Sequence, residues 1–246
     1  STGSLHQAAA GWDGAVGLTR LATGETSRIA GHVGPVSAVA FAPDGRAVIS
    51  GGHDGTIRIA PLDGGDPRSI FAERPVSGLV IARDGAIVAG RVDGSLLFLG
   101  ADGAPAGTVQ VAETPVVALA LSPDGGRIAA AGIRGSVALV DLASRMVERV
   151  LVGPGLPVWS VAFRPGRDEV LTGGGDRIVR RWRASTGEHL GAVVMARPSD
   201  PGTPVADHPG AEIFRACAAC HALAPGAGER AGPSLHGVIG RRIGTA

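Results

Sequence analysis

The sequence predicts a mainly-β protein built from repeated units of about 40 residues, and three observations support this. Pro-Val pairs recur at Pro35, Pro75, Pro115 and Pro157, so that successive prolines lie 40, 40 and 42 residues apart. Asp-Gly and related turn pairs form a second series with nearly the same period. The composition includes 40 Gly and 17 Pro with only 3% aromatic residues, which is typical of a turn-rich β protein with small aliphatic cores.

Each unit divides into short runs of alternating hydrophobicity that are separated by turn residues. In one unit we expect strands at residues 36–41, 46–50, 56–60 and 68–71. Four antiparallel strands within about 40 residues are typical of a β-propeller blade. Four complete units and a partial one that begins near Leu5 amount to about 4.5 blades. Because an open arc leaves unpaired strand edges, we expect two or three further blades before Ser1.

The turn landmarks resemble those of WD repeats over about residues 3–195. They are the triplets Trp12-Asp13-Gly14, His53-Asp54-Gly55, Val92-Asp93-Gly94, Ile133-Arg134-Gly135 and Gly175-Asp176-Arg177. Asp-Gly pairs also suit ordinary tight turns, so we assign these aspartates no catalytic role.

One unit fits the WD pattern best, because it has Gly31-His32, Ser50 and Asp54 in the expected order. The resemblance implies that these side chains link the strands of a blade by hydrogen bonds. The tryptophan of the third strand is present only as Trp182. In the other units Ala60, Leu99 and Val140 stand at or near that position.

The two cysteines of the chain lie together in Cys217-Ala218-Ala219-Cys220-His221. This spacing is typical of the attachment site of a c-type haem. Two thiols three residues apart can reach the two vinyl groups of the porphyrin, and the adjacent imidazole can bind the iron. We therefore predict that Cys217 and Cys220 anchor haem c and that His221 is the proximal iron ligand.

Three other interpretations of the motif stay open. A dithiol redox pair normally follows a strand and opens the helix of a βαβ unit, and no such unit precedes Cys217. Zinc could use both cysteines with His221 or His236, although a structural zinc site generally has four well-spaced ligands. A disulfide across two intervening residues would be strained on a helix.

The residues around the motif resemble the first part of a class I c-type cytochrome of the mitochondrial type. The resemblance covers residues 210–246 and rests on the opening segment with Gly210 and Phe214 and on the later Gly-Pro-Ser-Leu-His-Gly segment at 232–237. It implies an α-helical domain in which the carbonyl of Pro233 accepts the second imidazole proton of His221. We thus expect a partial propeller at 1–195, a proline-rich linker at 196–209 and the start of a cytochrome domain at 210–246.

The sixth iron ligand of that family is a methionine farther downstream, and it is not in this chain. The two methionines lie upstream, where we predict that Met146 is a core residue and that Met195 packs at a domain edge. His236 occupies a position that the family does not use for ligation. We therefore expect the chain to be a fragment at both ends.

The sequence-based hypothesis is an electron carrier, not an enzyme, that docks redox partners and other proteins. The net charge of +1 does not indicate a nucleic-acid surface, and no segment is apolar enough to span a bilayer. Covalent haem attachment implies a bacterial periplasm. The alternative is a WD-repeat scaffold for protein interaction with an accessory or non-functional haem module.

Overall fold

Turn residues divide the described part of the chain into short strands, as the computed structural model of the chain shows. The structure describes residues 6–153 and 155–194. The chain divides into two units, Ser1–Met195 and Ala196–Ala246, and the second lies outside the described residues. The predicted helical cytochrome segment at 210–246 falls in this second unit, so it stays a prediction.

Every regular element in the described part of the chain is a β-strand. The strands are β1 His6–Ala10, β2 Ala15–Arg20, β3 Thr26–Ala30, β4 Val36–Phe41, β5 Ala47–Gly52, β6 Thr56–Pro61, β7 Arg68–Phe71, β8 Val76–Ile81, β9 Ile87–Arg91, β10 Ser95–Leu99, β11 Pro105–Gln110, β12 Val116–Leu121, β13 Arg127–Gly132, β14 Ser136–Asp141, β15 Met146–Val152, β16 Val158–Phe163, β17 Glu169–Gly174, β18 Ile178–Arg183 and β19 His189–Val194.

These strands form five antiparallel sheets in chain order. The first sheet is β1-β2-β3, and the next four are β4 to β7, β8 to β11, β12 to β15 and β16 to β19. Each strand pairs with the strand next to it in sequence, as in a propeller blade. The repeated four-stranded units and the partial first unit are thereby confirmed.

The first strands of the four complete sheets lie side by side, since β4 contacts β8, β8 contacts β12 and β12 contacts β16. Each of them carries an irregularity in its pairing immediately after its first valine. The register shifts between Val36 and Ala38, Val76 and Gly78, Val116 and Ala118, and Val158 and Ser160. A bulge bends its strand and increases the local twist, so the same bend recurs in every unit.

The hydrophobic core consists of layers between neighbouring sheets rather than one central cluster. Ile49 and Ile57 of the second sheet pack with Val76 and Leu97 of the third. The next two layers pair Phe98 with Ile128 and Leu139 with Trp182. The second, third and fourth sheets therefore each bury one face against the sheet before and the other against the sheet after.

The position predicted for the WD tryptophan is the same in all four complete sheets. Ala60, Leu99, Val140 and Trp182 each pair with a residue twelve positions earlier, which is Val48, Ile87, Ile128 or Val170. All four side chains are buried. The predicted place of Trp182 in the third strand of its unit is confirmed.

Met146 is not a core residue, contrary to the sequence-based prediction. It is the first residue of β15, the outermost strand of the fourth sheet, and 66% of it is exposed. Because no further strand or sheet covers this position among the described residues, the side chain faces solvent.

Leu139→Ala and Met146→Ala should differ sharply in how much unfolding free energy they lose, although both change the fourth sheet. Leu139 is fully buried against the fifth sheet, so its truncation should cost about 2–5 kcal/mol of unfolding free energy. Truncation of the exposed Met146 should lower the unfolding free energy by less than about 0.5 kcal/mol. Urea unfolding of both variants measures this, and equal losses would contradict packing between the fourth and fifth sheets.

Candidate functional site

A buried histidine joins two loops at one end of the second sheet. His32 lies in the loop between β3 and β4, and its side chain is 2% exposed. Its Nδ1–H donates to Asp54 Oδ1 at 3.0 Å, and its Nε2 accepts from the Ser50 hydroxyl at 2.9 Å. The Thr56 hydroxyl donates to Asp54 at 2.8 Å. We call these four residues the His32 network.

Asp54 carries the charge of the His32 network. Burial raises its pKa, but the N–H of Val33 and the side chains of His32 and Thr56 donate to the carboxylate and outweigh burial. The pKa of Asp54 is consequently lowered to about 2. The carboxylate is ionised at neutral pH and holds both loops through these donors.

The His32 network confirms the hydrogen-bonded linkage that the WD resemblance implies for His32, Ser50 and Asp54. The other predicted aspartates, Asp13, Asp93 and Asp176, each accept the backbone N–H of the residue two positions later. They therefore also serve as turn residues, as the Asp-Gly context predicts.

The third sheet replaces the histidine with a buried arginine that the sequence did not reveal. Ala72 stands at the position of His32, and Arg91 of β9 donates from Nη1 to the Ala72 carbonyl at 3.1 Å. Its Nε donates to Ser95 at 2.7 Å, and Asp93 lies 3.8 Å away. The sequence signal that could have indicated this site is an arginine at the end of the otherwise apolar strand β9.

The fifth sheet has a third arrangement, because Trp182 donates its indole N–H to Thr172 Oγ1 at 3.0 Å. Thr172 occupies the place of Ser50 in the second sheet. Arg180 pairs with Asp176 at 2.6 Å and holds the pKa of that carboxyl below its usual value. These three sheets thus link their strands and loops with different polar side chains.

Two large apolar side chains are exposed beside the His32 network. Trp12, in the loop between β1 and β2, is 87% exposed, and Val33, next to His32, is 83% exposed. Their loops are joined, because the His32 N–H donates to the Gly14 carbonyl and the Val36 N–H donates to the Gly11 carbonyl. We call the end of the sheets that bears these loops the network end.

Gly14 makes this close approach of the two loops possible. Its φ is 82°, and a Cβ atom there would collide with the carbonyl oxygen of His32. A glycine is therefore required for both conformation and space. The exposed Trp12 and Val33 are consequently presented on a fixed pair of loops.

The predicted haem residues Cys217, Cys220, His221 and Pro233 all lie outside the described residues, as do Met195 and His236. The structure therefore does not test how they are arranged. Within residues 6–153 and 155–194, no group of three or more His, Cys, Asp or Glu side chains could hold a metal ion. The same residues contain no helix that could cross a membrane.

Comparison with known proteins identifies two of the repeats. The profile of the family described as WD domain, G-beta repeat matches residues 24–59 and 146–183. Both segments are similar to WD repeats. Each match begins near the last strand of one sheet and ends in the third strand of the next, so each repeat links two neighbouring sheets. The first match includes His32, Ser50 and Asp54, and the second includes Trp182.

Similar curated proteins are subunits of a translation factor. Eukaryotic translation initiation factor 3 subunit I of Nematostella vectensis is 51% identical over 39 residues, which are 16% of this chain and 12% of that protein. The same subunit of Drosophila ananassae is 43% identical over 47 residues, covering 19% of this chain and 15% of the relative. The similarity thus spans less than a sixth of each relative's length.

These relatives contradict part of the sequence-based hypothesis. The predicted bacterial periplasmic location is wrong, because the relatives are subunits of a eukaryotic translation initiation factor. The description of the chain as a cytochrome of electron transport is contradicted for the same reason, since its WD repeats and propeller blades alone are supported. The haem motif is a local pattern of a few residues, whereas the repeats organise most of the chain.

Asp54→Asn should lower the unfolding free energy by about 2 kcal/mol at pH 7, since the folded pKa of about 2 lies well below the usual aspartate value of 3.8. This stabilisation is complete above about pH 4 and is lost as the pH falls towards 2. Urea denaturation of the wild type and of Asp54→Asn at a series of pH values from 7 to 2 measures this. The difference between their unfolding free energies should become smaller as the pH falls. Glu113→Gln in the exposed β11–β12 loop is the control, and a difference independent of pH would contradict the assignment.

Proposed function

We propose that the protein is a non-enzymatic WD-repeat scaffold that binds other proteins through its network end. The exposure of Trp12 and Val33 on adjoining loops carries the proposal. Exposed apolar side chains grouped on one surface are typical of protein-interaction sites. Tryptophan is also the residue type most often found to dominate binding energy at such sites.

The rigidity of these loops supports the same proposal. The backbone N–H of Val33 donates to Asp54 at 2.9 Å, and Asp54 is itself fixed by His32 and Thr56. A surface that is already ordered before binding loses less conformational entropy when a partner docks. The His32 network therefore prepares the loop that bears Val33 for binding.

The relatives suggest the kind of assembly. Both are named as one subunit of a multi-subunit factor, translation initiation factor 3. By similarity, we propose that this chain also acts as one subunit among protein partners. Two segments of this chain also match the WD-repeat profile, which fits a role in assembly.

Trp12→Ala should weaken partner binding by about thirtyfold or more, as expected for a central aromatic contact. Partners are first identified by affinity purification and quantitative mass spectrometry, and the dissociation constant is then measured with one purified partner. Leu21→Ala is the matched control, because Leu21 is 54% exposed in the β2–β3 turn at the opposite end of the same sheet. Equal affinities of wild type and Trp12→Ala would contradict the proposal.

We also propose that Cys217, Cys220 and His221 hold a covalently attached haem as an accessory group. The donor set fits, because it offers two thiols for the porphyrin and one imidazole for the iron. Pro233 would orient His221 by accepting the proton on its second ring nitrogen. When bound, the haem supplies a redox-active iron.

Expression with haem-attachment machinery should yield protein that stays haem-stained after denaturation. Cys217→Ala should reduce this covalent staining, because only one thioether can form. Met195→Leu is the control and should leave staining and the optical spectrum unchanged. A wild-type protein without covalent haem would overturn the accessory-group proposal and leave the scaffold proposal intact.

A further inference from the structure

Arg58, in the third strand of the second sheet, has a guanidinium group without an acceptor. It forms no hydrogen bond and no ion pair within the described part of the chain, and its Nε is buried without a partner. A buried N–H that lacks an acceptor costs free energy. The third and fourth sheets carry Leu97 and Ala138 at the same position, so the packing of the repeat does not require an arginine there.

The side chain of Arg58 lies at the network end, on the face of the second sheet that meets the first sheet. Val48 packs on that face, and it pairs with Ala60, two residues after Arg58. Because side chains alternate along a strand, Arg58 shares this face. Its guanidinium reaches the loop between β3 and β4, since a Cβ atom at Gly31 would lie 2.8 Å from Arg58 Nη1. Val33 is in the same loop.

The fifth sheet carries an arginine at the same position, and this arginine has a carboxylate beside it. Arg180 pairs with Thr172 across β17 and β18, as Arg58 pairs with Ser50 across β5 and β6. Arg180 Nη2 lies 2.6 Å from Asp176 Oδ2. The fifth sheet therefore supplies its arginine with the acceptor that Arg58 lacks.

Asp54 precedes Arg58 by four residues, which is the spacing of the ion pair in the fifth sheet, but the His32 network already uses its carboxylate. Oδ1 of Asp54 accepts from His32 and Thr56, and Oδ2 accepts from the Val33 N–H. The side chain of Asp54 is only 10% exposed. It therefore holds the loops of the network end and leaves Arg58 without an internal carboxylate.

The carboxylates of the other nearby loops have cations of their own. Asp13 in the β1–β2 loop lies 2.6 Å from Arg28, and Glu73 in the β7–β8 loop lies 3.6 Å from Arg91. Within residues 6–153 and 155–194, no carboxylate lies within ion-pair distance of Arg58. Its positive charge is thus left for an acceptor from outside.

An exposed aromatic side chain lies next to Arg58 on the same face. Arg58 pairs with Ser69 of β7, and Thr56 pairs with Phe71, so Phe71 is the diagonal neighbour of Arg58. Phe71 is the last residue of β7 and is 71% exposed. We call Arg58, Phe71 and the exposed Val33 the Arg58 surface. It combines one unpaired guanidinium with two exposed apolar side chains.

We propose that the Arg58 surface binds a segment of a partner protein in which a carboxylate lies next to an apolar side chain. The carboxylate accepts from Arg58, as Asp176 does from Arg180, and charge-assisted hydrogen bonds of this kind are among the strong ones. The apolar side chain covers Phe71. The inference rests on the scaffold function proposed above and specifies the chemistry of the partner.

A single carboxylate fits this surface better than a nucleic-acid backbone does. A chain of phosphates is bound by several cations at once, whereas the neighbouring Arg28 and Arg91 already have carboxylate partners. One free guanidinium beside an aromatic ring instead matches the composition of protein interfaces, in which arginine and aromatic residues are enriched.

Selection from a phage-displayed library of short random peptides tests the proposal on the full chain. Peptides selected on the wild type should carry Asp or Glu beside an apolar residue, and Arg58→Met should not retain them. Arg46→Met is the matched control and should retain them, because Arg46 is an exposed arginine at the opposite end of the same sheet. A selection without such peptides, or peptides that bind Arg58→Met as tightly as the wild type, would overturn the proposal.

The most enriched peptide, labelled for fluorescence anisotropy, tests the contact between its carboxylate and Arg58. Replacing its acidic residue by the corresponding amide should weaken binding to the wild type by about tenfold or more. The same replacement should weaken binding to Arg58→Met by less than about twofold, because the guanidinium is then absent. Equal losses with both proteins would contradict the contact. A labelled oligouridine that binds the wild type and displaces the peptide would assign Arg58 to phosphate and would also overturn the proposal.

Arg58→Met should keep or raise the urea midpoint of unfolding, because methionine retains the unbranched apolar stem and removes a buried N–H that has no acceptor. A lower midpoint would show that Arg58 has a partner inside the protein, and the proposal would fall. If the peptide assays fail while Trp12→Ala still loses its partner, the scaffold proposal stands and only the assignment of Arg58 is lost.

Discussion

The packing of each sheet against the next is the constraint on which the rest of the structure depends. A four-stranded sheet of this size has two faces, and both carry apolar residues, such as Ile57 and Val48 on neighbouring strands of the second sheet. Neither face can be buried within one sheet, so stability comes from the layers between sheets. In the fifth sheet, Leu171 and Val179 stand where the second sheet has the buried Ile49 and Ile57. They are only partly buried, because no later sheet covers them in the described residues.

The apolar layers do not fix the ends of the strands and the loops that follow them. Polar contacts do so, and three different sets of them occur in the described part of the chain. His32 with Asp54, Arg91 with Ser95, and Trp182 with Thr172 each connect strands or loops at one end of a sheet. The charges involved are compensated where they are buried. The contacts fix loop positions without altering the apolar layers, so the loops can differ in their exposed residues. Trp12 and Val33 are such residues, and their exposure carries the proposed role in protein binding.

The two ends of the sheets have different chemistry because different parts of the repeat form them. At the network end, exposed apolar side chains stand on loops that buried polar groups hold in place. At the opposite end, a cavity between the second and third sheets has an aliphatic floor and a rim with two arginines and two aspartates. The proposed haem at the Cys-His motif plays no part in this difference between the two ends.

The sequence alone determined the period, the strand positions and the polar residues of one repeat. Strand β7 lies at the predicted residues 68–71, and His32, Ser50, Asp54 and Trp182 occupy their expected places, because local turn chemistry and alternation control these features. Three features required the tertiary structure. The burial of Arg91, the exposure of Met146 and the cavity above Ala47 all depend on which residue of a neighbouring strand or sheet lies opposite. That partner is distant in sequence, and only the packing of the sheets decides how much space and water each side chain meets.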